Sequence, residues 1–127
     1  MTVDKSRTGE EQVGAADGQQ TSKVSIAPEV LATIAALTAQ SVPGVVRLQG
    51  GLAGEVGKLI GRHRIPRGVK VHVVDGEVWV ELHLVVKPEV SMYQVGHEVQ
   101  NSVAEALETM VSMPVHSVDV YIEDVDD

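Results

Sequence analysis

The stretch VKVHVVDGEVWVELHLVV, residues 69–86, has the pattern of two β-strands joined by a tight turn. Apolar and polar residues alternate on both sides of Asp75-Gly76, and Asp-Gly is a favoured two-residue turn of a β-hairpin. Because hairpin register follows from the turn, the whole pairing can be predicted. The expected pairs are Val74 with Glu77, Val73 with Val78, His72 with Trp79, Val71 with Val80, Lys70 with Glu81 and Val69 with Leu82.

This pairing divides the hairpin into two faces of different character. The first face is wholly apolar and is expected to lie on the core: Val69, Val71, Val73, Val78, Val80, Leu82, Leu84 and Val86. The second face is expected to lie nearer to water, with Lys70 and Glu81 as an opposite-charge pair. It carries Lys70, His72, Val74, Glu77, Trp79, Glu81 and His83.

Helical patterns precede and follow the hairpin. Pro28 can open a first helix, because the first helical position does not need an N–H group, and the Val-Pro pair at 42–43 should end it. A second helix is expected to begin at Ser91, whose hydroxyl can cap it with Gln94 in capping-box spacing, and to end before Pro114. The apolar stripes expected on the core are Val30, Leu31, Ile34, Leu37 and Thr38, and then Met92, Val95, Val99, Val103, Ala106, Leu107 and Met110.

Three shorter segments have strand patterns. Residues 23–26 are expected to form one strand, residues 45–47 a possible second, and the segment after Pro114 a last strand. This last strand is expected to place Val118, Val120 and Ile122 on one face. The order of elements predicts an α+β fold, a mostly antiparallel sheet with two helices packed on one face.

Length and composition fit one such domain. The chain has 127 residues, enough for one hydrophobic core, and 25 of them are valines, which pack well in sheets. Residues 1–22 carry too little apolar surface to offset the entropy of ordering, so they are expected to be a disordered tail, and residues 23–125 are expected to form the domain. The chain has no cysteine, which excludes disulfides, thiolate catalysis and cysteine-bound metals.

The sequence also limits location and partners. No apolar run is long enough for a transmembrane segment or a secretory signal, which predicts a soluble protein without a membrane span of its own. The formal net charge of -8 argues against broad nucleic-acid binding, which depends on neutralising phosphates.

Three stretches together resemble the alkaline shock protein family, envelope-stress proteins of Gram-positive bacteria. They are VSIAPEVLATIAALTAQSVPGVVRL (24–48), GVKVHVVDGEVWVELHLVV (68–86) and YQVGHEVQNSVAEALETMVSMPVHSVDVYIEDV (93–125). The resemblance implies a small, non-enzymatic cytoplasmic protein held near the membrane by a separate membrane-anchored partner protein, with self-association into larger assemblies in some members. It supplies no catalytic residue and no cofactor.

Two segments depart from this family pattern: residues 49–68, which hold glycines and basic residues, and VSMP at 111–114, where relatives often have a helix stop with glycine. KLIGRHRIPRGVK, residues 58–70, overlaps the first of them and holds five of the ten basic side chains. Four of them are candidates for partner binding: Lys58, Arg62, Arg64 and Arg67. The alternatives are a solvated loop, docking to an acidic protein or to anionic headgroups, and a small RNA-binding module that uses residues 58–67. Gly-x-x-Gly spacing, with which KH domains clamp a nucleic-acid backbone, occurs nearby, but no basic residue lies between those glycines and no aromatic residue is interleaved to stack bases.

The water-facing side of the hairpin is the second candidate region. His72, His83 and Glu81 invite a zinc hypothesis, but the two histidines lie two same-face pairs apart along the hairpin. The preferred interpretation is a surface that packs against a loop, a second subunit or a partner, with Trp79 as its anchor. His97 and His116 are interpreted as isolated surface residues. No nucleophile motif is present, so no catalytic residue is expected.

Overall fold

A computed structural model describes residues 22–50 and 66–126, which form two helices and a four-stranded sheet. This confirms the predicted α+β class. The expected tail lies outside the described residues apart from Ser22, so its disorder stays a prediction. In chain order the elements are α1 (Pro28–Gln40), β1 (Val45–Leu48), β2 (Val69–Val74), β3 (Glu77–Val86), α2 (Met92–Met110) and β4 (Val115–Val125).

Strand β3 is the central strand of the sheet. β2 and β1 pair antiparallel with its first and last parts, and β4 pairs parallel with it over nearly its whole length. Since a strand has only two edges, β1 and β2 share one edge of β3 and β4 occupies the other. A parallel neighbour needs a crossover, and α2 provides it. Two of the three pairings are thus antiparallel, as predicted.

The hairpin forms in the predicted register. All six expected pairs of β2 and β3 are present. Asp75 and Gly76 have φ angles of 51° and 77°, the left-handed values that a type I′ turn requires at both central positions. The twist of this turn matches that of the strands, so a local signal was sufficient to set the register.

The apolar face of the hairpin lies on the core. Val73 is an exception, because it lies on the edge strand beside the turn and is exposed. The second predicted strand and the last strand are also present, and Val118 joins the core. The cluster that joins the sheet to both helices contains Leu31, Ala32, Ala35, Ala36, Ala39, Val69, Val78, Val80, Leu82, Leu84, Val86, Val95, Val99, Val103, Leu107 and Val118, among others.

The predicted stripe of α1 is wrong in part. Val30 and Leu37 are exposed, and the buried face of this helix is formed by the predicted Leu31 together with Thr33 and four alanines. Small side chains allow a helix backbone to approach its neighbours closely, so an alanine face packs well between α2 and the sheet. The larger residues Val30 and Leu37 then fall on the opposite side.

Three further predictions about element ends are also wrong. Residues 23–26 form no strand: they pair with no described strand, and Val24 is 91% exposed. Ser91 lies at the N-cap of α2, but its side chain makes no capping bond, and only its carbonyl contributes, by accepting from the Val95 N–H at 2.9 Å. Met92 and Met110 were predicted to lie on the core, but they are the first and last residues of α2 and both are exposed.

Within the described ranges, neither helix combines the length and the hydropathy of a membrane-spanning segment.

The buried hairpin face can be tested with Val80→Asp. An unpaired carboxylate would enter the core, and we expect this variant to lose about 3 kcal/mol or more of its free energy of unfolding. The half-buried Val71→Asp should lose less, and the exposed Lys70→Ala less than about 0.5 kcal/mol. Urea unfolding followed by circular dichroism measures all three. The reverse order of stabilities would contradict the register.

Candidate functional site

The outer face is the side of the sheet opposite the helices, formed by the water-facing side chains of β2, β3 and β4. These residues share one face because alternate side chains of a strand point to opposite faces of the sheet, and the apolar residues of each strand lie on the core side. No described helix packs on it. Its residues include Lys70 and His72 of β2, Glu77, Trp79, Glu81 and His83 of β3, and His116, Asp119, Tyr121 and Glu123 of β4.

His83 bridges two carboxylates near the middle of the outer face. Its Nε2 atom lies 2.6 Å from Oε2 of Glu81, and its Nδ1 atom lies 2.6 Å from Oε2 of Glu123 on the neighbouring strand. A neutral imidazole can donate from only one nitrogen, whereas an imidazolium donates from both. The geometry therefore favours the charged ring, which ties β3 to β4 through side chains.

This contact shifts the pKa values of both His83 and Glu81. The hydrogen bond to Glu81, with a second one to Glu123, raises the pKa of His83 above its ordinary value of 6.5. The hydrogen bond from His83 in turn lowers the pKa of Glu81, and the charge of Lys70 across the hairpin acts in the same direction. The ring of Tyr121 stacks on His83 with a centroid distance of 4.9 Å.

A second contact lies nearer to the hairpin turn. The rings of Trp79 and His116 stack with their centroids 3.6 Å apart and an angle of 23° between their planes. Nδ1 of His116 lies 3.1 Å from Oε1 of Glu77. The interpretation of His116 as an isolated residue was therefore wrong, because the parallel pairing brings β4 beside β3. Trp79 remains 38% exposed and retains surface for a partner.

At the end of the outer face farther from the hairpin turn, an ion pair spans the sheet. Nη1 of Arg47 on β1 lies 2.9 Å from Oδ2 of Asp126, which follows β4. Arg47 is paired in register with Val85 of β3, so the ion pair reaches from one edge of the sheet to the other. Val85 is buried although it belongs to the outer side of the strand. The accessible part of the outer face thus lies toward Trp79.

The predicted site residues fall into three groups. Trp79 and His83 lie on the outer face in the contacts above, and His72 is an exposed residue paired in register with Trp79. Arg67 is exposed and donates from Nη1 to the carbonyl of Gly50 at 3.3 Å. The remaining three basic residues lie outside the described residues: Lys58, Arg62 and Arg64.

The zinc hypothesis finds no support on this face. Among the residues that the structure describes, no group of three or more histidines and carboxylates is placed to hold a metal ion. Both nitrogens of His83 already contact carboxylates, and His72 belongs to a different part of the face.

A groove that the sequence patterns did not predict is present at the far edge of the sheet. It lies between the first turns of α2 and β4, with a volume of about 260 Å³. Tyr93 and His97 contact each other there edge to face, with centroids 4.8 Å apart, so His97 is not isolated either. In the sequence, these two residues are four positions apart beside the apolar stripe of α2, and side chains at that spacing on a helix contact each other, so this contact could have been predicted.

Comparison with known proteins gives consistent results for family and fold. A model of the alkaline shock protein 23 family, described by a cell envelope-related function, matches residues 16–126. "Uncharacterized protein YqhY" of Bacillus subtilis (strain 168) is 33% identical over 100 residues, which cover 79% of this chain and 74% of that protein.

Solved structures of MamM CTD resemble the fold. A variant in a cadmium form is 20% identical, with a TM-score of 0.50, and the match covers 79% of this chain and 100% of that chain. A variant in a nickel form is 18% identical, with a TM-score of 0.49 and coverage of 77% and 99%. At these identities the likeness concerns the fold alone.

The His83 contact predicts a dependence of stability on pH. Because the pKa of His83 is raised on folding, its stabilising contribution is complete below about pH 6.5 and is lost as the pH rises through the folded-state pKa. We expect the unfolding temperature of the unaltered protein to fall more between about pH 6 and pH 9 than that of His83→Gln.

Glu123→Gln removes one of the two carboxylates and serves as the matched variant. It should show a pH dependence between those of the unaltered protein and His83→Gln, measured by thermal unfolding in buffers of equal ionic strength. Identical pH profiles for all three proteins would exclude the proposed imidazolium bridge.

Proposed function

Since the chain belongs to the alkaline shock protein 23 family, whose function is related to the cell envelope, we propose that it is a non-enzymatic protein of the envelope stress response that acts by binding other proteins. It works in the cytoplasm close to the membrane, where a membrane-anchored partner protein holds it. The chain supplies the binding surface, and the partner supplies the anchor.

The observation that carries this proposal is the uncovered outer face. One sheet face is covered by both helices, whereas the other has no described helix on it and presents Trp79 beside charged groups. A partly exposed tryptophan surrounded by polar side chains is typical of the anchor residue of a protein interface. His72 and His83 extend this face in two directions, so we propose all three as contact residues.

The basic segment is the second proposed contact. Arg67 lies two residues before β2, and Lys58, Arg62 and Arg64 precede it in the chain. Each basic residue close to an anionic surface adds about 1 kcal/mol of attraction, which is screened by salt. Four such residues favour an acidic protein surface or the anionic headgroups beside the partner.

Capture of partners from membrane extracts tests the proposal. The outer-face variant His72→Ala/Trp79→Ala and the segment variant Lys58→Gln/Arg62→Gln/Arg64→Gln/Arg67→Gln should each lose the membrane protein that the unaltered chain retains. The control Lys23→Gln/Lys87→Gln removes exposed basic residues from outside the segment and should retain it. Thermal unfolding of each variant establishes that the fold is kept.

The salt dependence of RNA binding separates this proposal from its alternative. If the chain is instead an RNA-binding module using residues 58–67, its affinity for single-stranded RNA should fall by orders of magnitude between about 50 and 200 mM salt and be lost in the segment variant. That result, together with equal capture of membrane protein by all variants, would refute the proposed function. We expect no stoichiometric RNA binding at physiological salt.

A further inference from the structure

Strand β4 presents an open edge. It pairs with β3 on one side, and no described strand pairs with its other side. Nε2 of Gln100 donates to the carbonyl of Val118 at 3.1 Å, so this carbonyl points away from β3. Because backbone groups of alternate residues point to opposite edges, Val120 and Ile122 also direct their N–H and C=O groups to the open edge. Such an edge is a template for a further strand.

The groove described above runs along this edge and is partly apolar. Tyr93 is 83% exposed, and the groove is lined by Met92, Tyr93, Gly96, His97, Gln100, Val120 and Ile122. The alternate side chains of an added strand would point toward this groove, since Val120 and Ile122 lie on the helix side of β4. The open edge and the groove therefore form one surface.

Gly96 deepens the groove without being required by the fold. A Cβ atom at this position would lie 4.0 Å from Cγ1 of Val120, an ordinary contact. Glycine inside a helix is less favourable than alanine by about 1 kcal/mol, so the helix itself gains nothing from it. What the glycine provides is space beside Val120 for a side chain from elsewhere.

The two elements that border the open edge carry acidic side chains but no lysine or arginine, and one of these carboxylates, Glu123, already contacts His83. α2 and β4 contain no lysine or arginine, and they carry Glu98, Glu105, Glu108, Asp119, Glu123 and Asp124. In the described part of the chain, Arg47 and Lys70 lie on the strands at the other edge of the sheet. The open edge of β4 is thus complementary to a basic segment and unfavourable for an acidic one, including β4 of a second copy.

We propose that the open edge of β4 and its groove bind an extended segment of a partner protein in which apolar and basic residues alternate. The segment adds a strand next to β4, with its apolar side chains in the groove and its basic side chains on the outer side near Asp119. The inference does not depend on the proposed function, because it requires neither a membrane anchor nor contacts with Trp79 or the basic segment.

A synthetic peptide of alternating valine and lysine, about nine residues long, tests the surface. Isothermal titration calorimetry with the full-length chain should give one-to-one binding, whereas a valine–glutamate peptide should not bind. Methylating the backbone nitrogens of one alternate set of residues should abolish binding, and methylating the other set should preserve it. This asymmetry is the signature of strand addition, since only one set of N–H groups faces β4.

Two variants and a control locate the binding site. Asp119→Lys places a like charge opposite the peptide, and Gly96→Leu fills the groove, so each should weaken binding by about tenfold or more. Glu29→Lys makes the same charge change as Asp119→Lys but on α1, and it should keep the affinity of the unaltered chain. Circular dichroism and thermal unfolding establish that each variant is folded before it is titrated.

Three outcomes would overturn the inference. Equal affinity of Asp119→Lys, Gly96→Leu and the unaltered chain would show that the peptide binds elsewhere. An equal loss of affinity in Glu29→Lys would show that peptide binding depends only on the overall charge of the chain. A concentration-dependent dimer in sedimentation, formed without peptide and abolished by Gly96→Leu, would show that a second copy of this chain occupies the edge instead.

Discussion

The pairing of β3 on both of its edges is the constraint on which the rest of the described structure depends. Its alternating side chains bury one face of the sheet beneath α1 and α2 and leave the other outward. Because β1 and β2 occupy one edge of β3, the parallel neighbour β4 has to take the other. The two candidate surfaces, the outer face and the open edge of β4, both follow from this arrangement.

The parallel pairing of β4 also creates the side-chain contacts of the outer face. It places Tyr121 and Glu123 beside His83, and His116 beside Trp79. The two strands are joined in the chain only through α2, so these rings and carboxylates connect parts of the chain that are far apart in sequence. A protonated His83 is satisfied on both nitrogens by this arrangement, and the charge on the ring therefore contributes to the cohesion of the sheet.

Charge is distributed unevenly across the sheet, and this gives the two edges different properties. Among the described helices and strands, lysine and arginine occur only on β1 and β2, whereas α2 and β4 carry carboxylates and no lysine or arginine. The net charge of -8 conceals this division, because it averages over both edges. The proposed partner of the open β4 edge is for this reason basic, and the proposed contact of the segment before β2 is acidic or anionic.

The sequence by itself determined the features that depend on neighbouring residues. Asp75-Gly76 sets the hairpin register because the turn and its strands are adjacent, and Pro28 and Pro114 mark helix limits through local backbone restrictions. Only the tertiary structure decided which face of α1 is buried, that β4 runs parallel to β3, and that His83 and His116 have partners on another strand. These features depend on packing between elements distant in the chain, and the alternation within one strand carries no information about which strand will lie beside it.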